Sequence, residues 1–305
     1  MDMFATINQL SVLFILLIFG YVGCKIKALT PETGKVLTKV VFNITLPCTI
    51  LSSVIAGNMS IAGGETFLFL LIVFLVYVLY AIVALPTAWA LVKDKRLRGL
   101  YSFMMIFSNV AFMGIPVVNA IFGPHAVFYV AVFNIPFWIL YFSVGVLMIS
   151  GKSEGFNAKS LINPSMISSL LVIPLALIGF RAPVIIVEAV RLTGAVTTPA
   201  SMLIIGVTLA STPLRNVFTD WRLYAMTIVK LIVIPIITWF VFRPFISSEL
   251  LLGVVTVLSG MPTAAAAAMF AIQFENNEQT ASSGVFLTTL LCGVTIPLIV
   301  YLLLS

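Results

Sequence analysis

Long apolar runs, separated by short stretches where the charged residues gather, recur along this chain from beginning to end. An α-helix needs about 17 to 25 apolar residues to cross a hydrocarbon core of roughly 30 Å. Ten runs of that kind predict ten membrane-spanning helices, near residues 4–24, 38–57, 66–92, 99–122, 125–150, 163–180, 183–211, 222–242, 248–274 and 279–304. No stretch between them is long enough for a soluble domain. The pattern predicts an all-α polytopic membrane protein.

Prolines punctuate these runs, and their order repeats. Pro47 in LPCTILSSVIAG of span 2 answers Pro199 in TPASMLIIGVTLA of span 7. Pro86 in LPTAW answers Pro235 in IPIITW, Pro116 in GIP answers Pro262 in GMP, and Pro136 in NIPFWILY answers Pro297 in TIPLIVYL. An odd number of spans per copy turns the second copy upside down. The expected organisation is a first five-helix repeat over 1–150, a polar cytoplasmic linker over 151–163, and a second, inverted five-helix repeat over 164–305. Inverted repeats can open a central site to either side in turn, which favours a transporter.

Composition agrees with a bilayer environment: 61% of the 305 residues are hydrophobic, 9% are charged, and mean hydropathy is +1.20. A net charge of +6 would suggest a nucleic-acid partner in a soluble protein. Here its placement reports orientation instead. With the N-terminus outside, inside loops and flanks hold Lys25, Lys27, Lys35, Lys39, Lys93, Lys95, Arg96, Arg98, Lys152, Lys159, Arg215 and Arg222, against Arg181 and Arg243 outside. Both termini are therefore expected outside a cytoplasmic membrane. The first run lacks a basic leader and is expected to remain as span 1. Cys24, Cys48 and Cys292 stand singly, without metal-ligand spacing, and read as packing residues.

Proline in mid-membrane removes a backbone donor and clashes with the preceding turn. Spans 4 and 9 are thus expected to break at Gly114-Ile115-Pro116 and Gly260-Met261-Pro262 and to cross at the midplane. The freed amides of each second half-helix, from Val117 and from Thr263, carry partial positive charge and suit an anion. Asn109 and Asn119 flank the first break, and Asn43 in NITLP faces the same region in this reading. Lys230 is a deep basic residue, suited either to balance an anion or to snorkel. Asn134 and Thr295, two residues before paired prolines, are expected to patch the donors those prolines disturb. Glu188 and Arg191 are spaced to pair on one helix face.

Enzymatic readings fail on inventory. The one histidine, His125, lies in a short loop, and no aspartate falls within a span, so neither a hydrolytic triad nor a metal cluster assembles. No cofactor is expected, and the coupling ion, proton or sodium, stays open.

Asn43 to Pro47, the stretch Asn109 to Pro116 with Phe122-Gly123 after it, and Pro262 through ASSGVFLTTLLCGVTIP resemble the auxin efflux carrier family along the whole chain. The short linker resembles its bacterial malate and malonate permeases. The resemblance implies a secondary carrier of small organic anions, a homodimer, a scaffold of spans 1, 2, 6 and 7, and a mobile part of spans 3–5 and 8–10 that shifts like an elevator. A sodium-coupled symporter of the bile-acid type and an anion channel are the alternatives.

Overall fold

The protein is described by a computed structural model over residues 3–56, 63–151, 163–212, 217 and 220–304. Most of the expected linker lies outside the described residues. Twelve helical pieces follow in order: α1 Met3–Lys25, α2 Pro31–Ser52, α3 Gly63–Leu91, α4 Lys95–Ile106, α5 Val110–Phe122, α6 Pro124–Ser150, α7 Pro164–Leu177, α8 Val184–Ser211, α9 Trp221–Phe242, α10 Glu249–Ser259, α11 Ala266–Gln273 and α12 Glu278–Leu304. Seven of these, α1, α2, α3, α6, α8, α9 and α12, are long and apolar enough to cross a membrane. Pieces α5, α7 and α10 are shorter and also apolar. Among the described residues, extended pairing is confined to two isolated bridges.

Polar residues set the helix starts. Thr30, Asp94, Asn163, Asp220 and Ser248 each accept a backbone N–H from the first turn of the helix that follows, covering a donor that has no intrahelical partner.

Three prolines are accommodated by a wide turn rather than a break. The residue before each one donates its N–H five residues back: Leu46 to Val41, Ile115 to Val110, and Ile234 to Val229. A π-type turn just upstream of Pro47, Pro116 and Pro235 fits the missing donor and the ring without ending the helix. This corrects the expectation for Gly114-Ile115-Pro116. Gly114 and Ile115 have helical backbone angles, and the three residues lie inside the continuous piece α5.

Two packing groups emerge, joined by α5 and by the packing of α6 on α7. Helices α1, α2, α7 and α8 pack on one another. Helix α3 packs on α4 and α6, α4 on the end of α6, α9 on α10 and α12, and α11 on α12. Helix α5 touches α1 and α8 on one side and α6 and α10 on the other. Small residues allow the tightest contact in the first group. A Cβ on Gly206 would lie 2.2 Å from the Leu17 carbonyl oxygen, and one on Gly20 would lie 2.5 Å from that of Leu203. Backbones therefore meet directly, the way membrane helices gain dispersion contacts where lipid removes any hydrophobic drive between them. Nearby, Thr49 donates to the Gly194 carbonyl at 2.8 Å and meets Thr197, which bonds Thr45 at 2.9 Å. Large apolar side chains such as Phe67, Trp89, Ile185 and Phe240 point outward, a surface suited to lipid.

Candidate functional site

Helix α4 stops at Ile106, and α5 begins at Val110. Helix α10 stops at Ser259, and α11 begins at Ala266. The two gaps lie against each other as a short antiparallel pair. Ser108 bridges Thr263, the Asn109 N–H donates to the Pro262 carbonyl at 2.7 Å, and the Ala264 N–H donates to the Phe107 carbonyl at 2.9 Å. Buried extended backbone is tolerable here because each gap supplies partners for the other. The first interruption is thus at 107–109, two turns before Pro116, where no proline announces it.

Side chains complete the junction. Thr263 is fully buried; its hydroxyl donates to the Met104 carbonyl at 2.9 Å and its N–H to the Thr288 hydroxyl at 3.2 Å. It therefore ties α4 to the second gap rather than capping α11. Lys230, on α9, is also fully buried. Its ammonium donates to Ser108 Oγ at 2.5 Å and to the Ser259 carbonyl at 3.4 Å, with the Tyr80 ring centroid 5.5 Å away. Tyr80 in turn shares a hydrogen bond with Ser259 Oγ, which donates to the Val255 carbonyl. A buried ammonium is costly unless its donors are met. This burial excludes snorkelling for Lys230.

At the starts of the second half-helices, some first-turn amides bond within the gap. Val110 bonds back to the Ser108 carbonyl, and Met113 and Gly114 to that of Asn109. The amides of Ala111, Phe112, Ala265 and Ala266 take no part in the pairing. Val117, by contrast, lies within the continuous α5, so its amide does not start a half-helix.

The remaining sequence candidates divide. Asn109 is 5% exposed, sits in the first gap and does not cap α5 with its side chain. Gly114 faces Leu258 of α10, where a Cβ would lie 2.8 Å from Leu258 Cδ2. Ile115, Pro116 and Val117 are buried within α5. Gly260, Met261 and Pro262 form the second gap, and a Cβ on Gly260 would lie 3.1 Å from Ile299. Asn43 is exposed and donates to the Lys39 carbonyl one turn back, and Asn119 is half-buried further along α5. No hydrogen bond joins either of them to the junction. Asn134 and Thr295 do not patch their helices: Asn134 Oδ1 and Thr295 Oγ1 are buried without a hydrogen-bond partner. Glu188 and Arg191 do pair, at 2.6 Å, in an exposed position.

Ser108, Ser259, Tyr80 and Thr288 were not singled out from the sequence. Ser108 directly before Asn109 and Ser259 directly before Gly260 were the signal available, a hydroxyl at each break. One larger polar cavity, about 730 Å³, opens beside the ends of α3 and the starts of α4, α9 and α12, with Ser283 on its wall.

Known proteins agree in kind. The membrane transport protein family matches residues 5–160 and 152–300. The chain is 28% identical to an uncharacterised transporter of Methanocaldococcus jannaschii and 26% identical to one of Methanothermobacter thermautotrophicus, each over 96% of this chain and 97% of the relative. The family and the relatives, both named transporters, point to a membrane transporter rather than an enzyme. The chain belongs to the membrane transport protein family, that of the auxin efflux carriers.

Proposed function

We propose that this chain is a secondary carrier of small organic anions, dicarboxylates or auxin-like carboxylates, working by alternating access in the cytoplasmic membrane. The observation that carries the reading is the antiparallel junction of 107–109 with 262–264, backed by a buried lysine and flanked by first-turn amides that take no part in that pairing. Half-helix starts attract an anionic group, and a buried positive charge raises that attraction where water is scarce.

In this reading α4 with α5, and α10 with α11, are two broken spans that cross at the midplane. The chain then has ten spans in two inverted repeats, with both termini outside and a homodimer as the working unit. The substrate carboxylate meets the amides of Ala111, Phe112, Ala265 and Ala266, with Asn109 and Thr263 beside it and Lys230 behind. Gly114, Ile115, Pro116, Val117, Gly260, Met261 and Pro262 shape the surrounding wall. The group α3, α4, α6 and α9–α12 moves as one body against α1, α2, α7 and α8, an elevator-like shift.

The test is a thermal-shift screen of purified protein against mono- and dicarboxylates, with and without sodium and at two pH values, followed by counterflow in proteoliposomes. A ligand that binds the folded state raises its apparent stability. One carboxylate should stabilise the protein and drive saturable exchange. Stabilisation by none of the panel, or single-channel currents in place of exchange, would sink the carrier reading.

A further inference from the structure

Lys230 is the one charged residue among the buried polar side chains described, and no described carboxylate is buried. The ion pairs among the described residues, Arg191 with Glu188 and Arg222 with Asp220, leave it out. What meets it is one side-chain hydroxyl and one backbone carbonyl. Its ammonium lies between Ser259, the last residue of α10, and Ser108, two residues past the end of α4. The C-terminus of α10, which carries roughly half a negative charge, presents the Ser259 carbonyl, and the Ser108 hydroxyl of the first gap meets the ammonium from another side. Helix α10 has 11 residues, long enough for that dipole to form. The aromatic face of Tyr80 adds a third electron-rich wall.

Carriers built from interrupted helices use half-helix C-termini and unwound carbonyls to hold a soluble coupling cation. We propose that in this chain the cation is built in: the Lys230 ammonium occupies that position, so the carrier takes up its anion without sodium and carries the lysine charge together with it. This rests on the carrier reading for its meaning in transport, but the cation site itself stands on the geometry of Ser108, Ser259 and Tyr80. The geometry also explains why a lysine serves here. Its stem reaches in from α9, a third element, so the charge pins both gaps without belonging to either.

The experiment removes the tethered cation and offers a free one. Lys230→Ala deletes the stem and the ammonium and leaves the hydroxyl and the carbonyl in place. Lys230→Met deletes the charge but keeps the space filled. Thermal stability of purified wild type and both variants is measured in sodium chloride, ethylammonium chloride and choline chloride at equal ionic strength. Wild type should melt at the same temperature in all three salts. Lys230→Ala should melt lower in choline and recover with ethylammonium or sodium, rising with the logarithm of the small cation's concentration. Lys230→Met should not respond. If Lys230→Ala cannot be purified in choline, it is solubilised with ethylammonium present, and recovery of monodisperse protein is the readout. Sodium-dependent stabilisation of wild type, a Lys230→Ala variant as stable as wild type in choline, or one restored by neither cation would each overturn the proposal. No carboxylate enters the assay. Rescue together with a failed carboxylate screen would leave the cation site standing and remove the organic-anion reading.

Discussion

Replacing Ser108 by Ala deletes a single oxygen, the nearer of the two acceptors that meet the Lys230 ammonium. The residue is 2% exposed, so water cannot readily substitute for that oxygen. The remaining acceptor, the Ser259 carbonyl, is at 3.4 Å, near the limit of a useful hydrogen bond. A hydrogen bond to a charged group contributes about 1.5 to 3 kcal/mol, and the change should destabilise the protein by that amount. This is roughly one to two powers of ten in the folding equilibrium. In a Lys230→Met background the oxygen has no ammonium to meet, and its loss should cost no more than about 0.5 kcal/mol, as for an ordinary small change. Equilibrium unfolding of wild type, both single variants and the double variant in detergent micelles, followed by tryptophan fluorescence, gives the four free energies of the cycle. The coupling between Ser108 and Lys230 should be about 1 to 2.5 kcal/mol, well above the additivity error for independent sites. Equal cost for Ser108→Ala in both backgrounds would refute the argument that this hydroxyl solvates the charge.

Pro116→Ala should leave stability within about 1 kcal/mol and carboxylate binding intact, because Pro116 lies inside the continuous α5. Pro262→Ala, in the second gap, should weaken binding measurably; equal losses in thermal shift for the two variants would move the functional break back to 114–116. Gly206→Leu should cost at least about 1 to 3 kcal/mol in the same unfolding assay, since its Cβ would begin 2.2 Å from the Leu17 carbonyl. An unchanged unfolding curve would mean that α1 and α8 are not in backbone contact. With the native cysteines replaced, a cysteine at Arg181 should react with an impermeant thiol reagent added outside intact cells, and one at Lys95 should not. The opposite labelling would invert the topology.

The broad class was legible in the sequence because it depends on the chain's own bonds. A helix satisfies its backbone internally, so a run of apolar residues long enough to span a bilayer specifies a membrane helix without reference to any neighbour. The caps at Thr30, Asp94, Asn163, Asp220 and Ser248 are local in the same sense. Pro262 correctly marked the second gap for the same reason, a donor missing at that residue. Pro116 misled because one wide turn, closed by Ile115 on Val110, absorbs the same defect without ending the helix. The first gap at Phe107-Ser108-Asn109 has no local cause strong enough to read. It exists because Pro262 and Ala264, more than 150 residues away in the chain, offer the carbonyl and the amide that its extended backbone needs. Lys230 was visible as a deep basic residue, but its role depends on Ser108, Ser259 and Tyr80 arriving from three other elements. Spacing along one helix carries no record of which distant elements converge on it, and a buried charge is decided by that convergence alone.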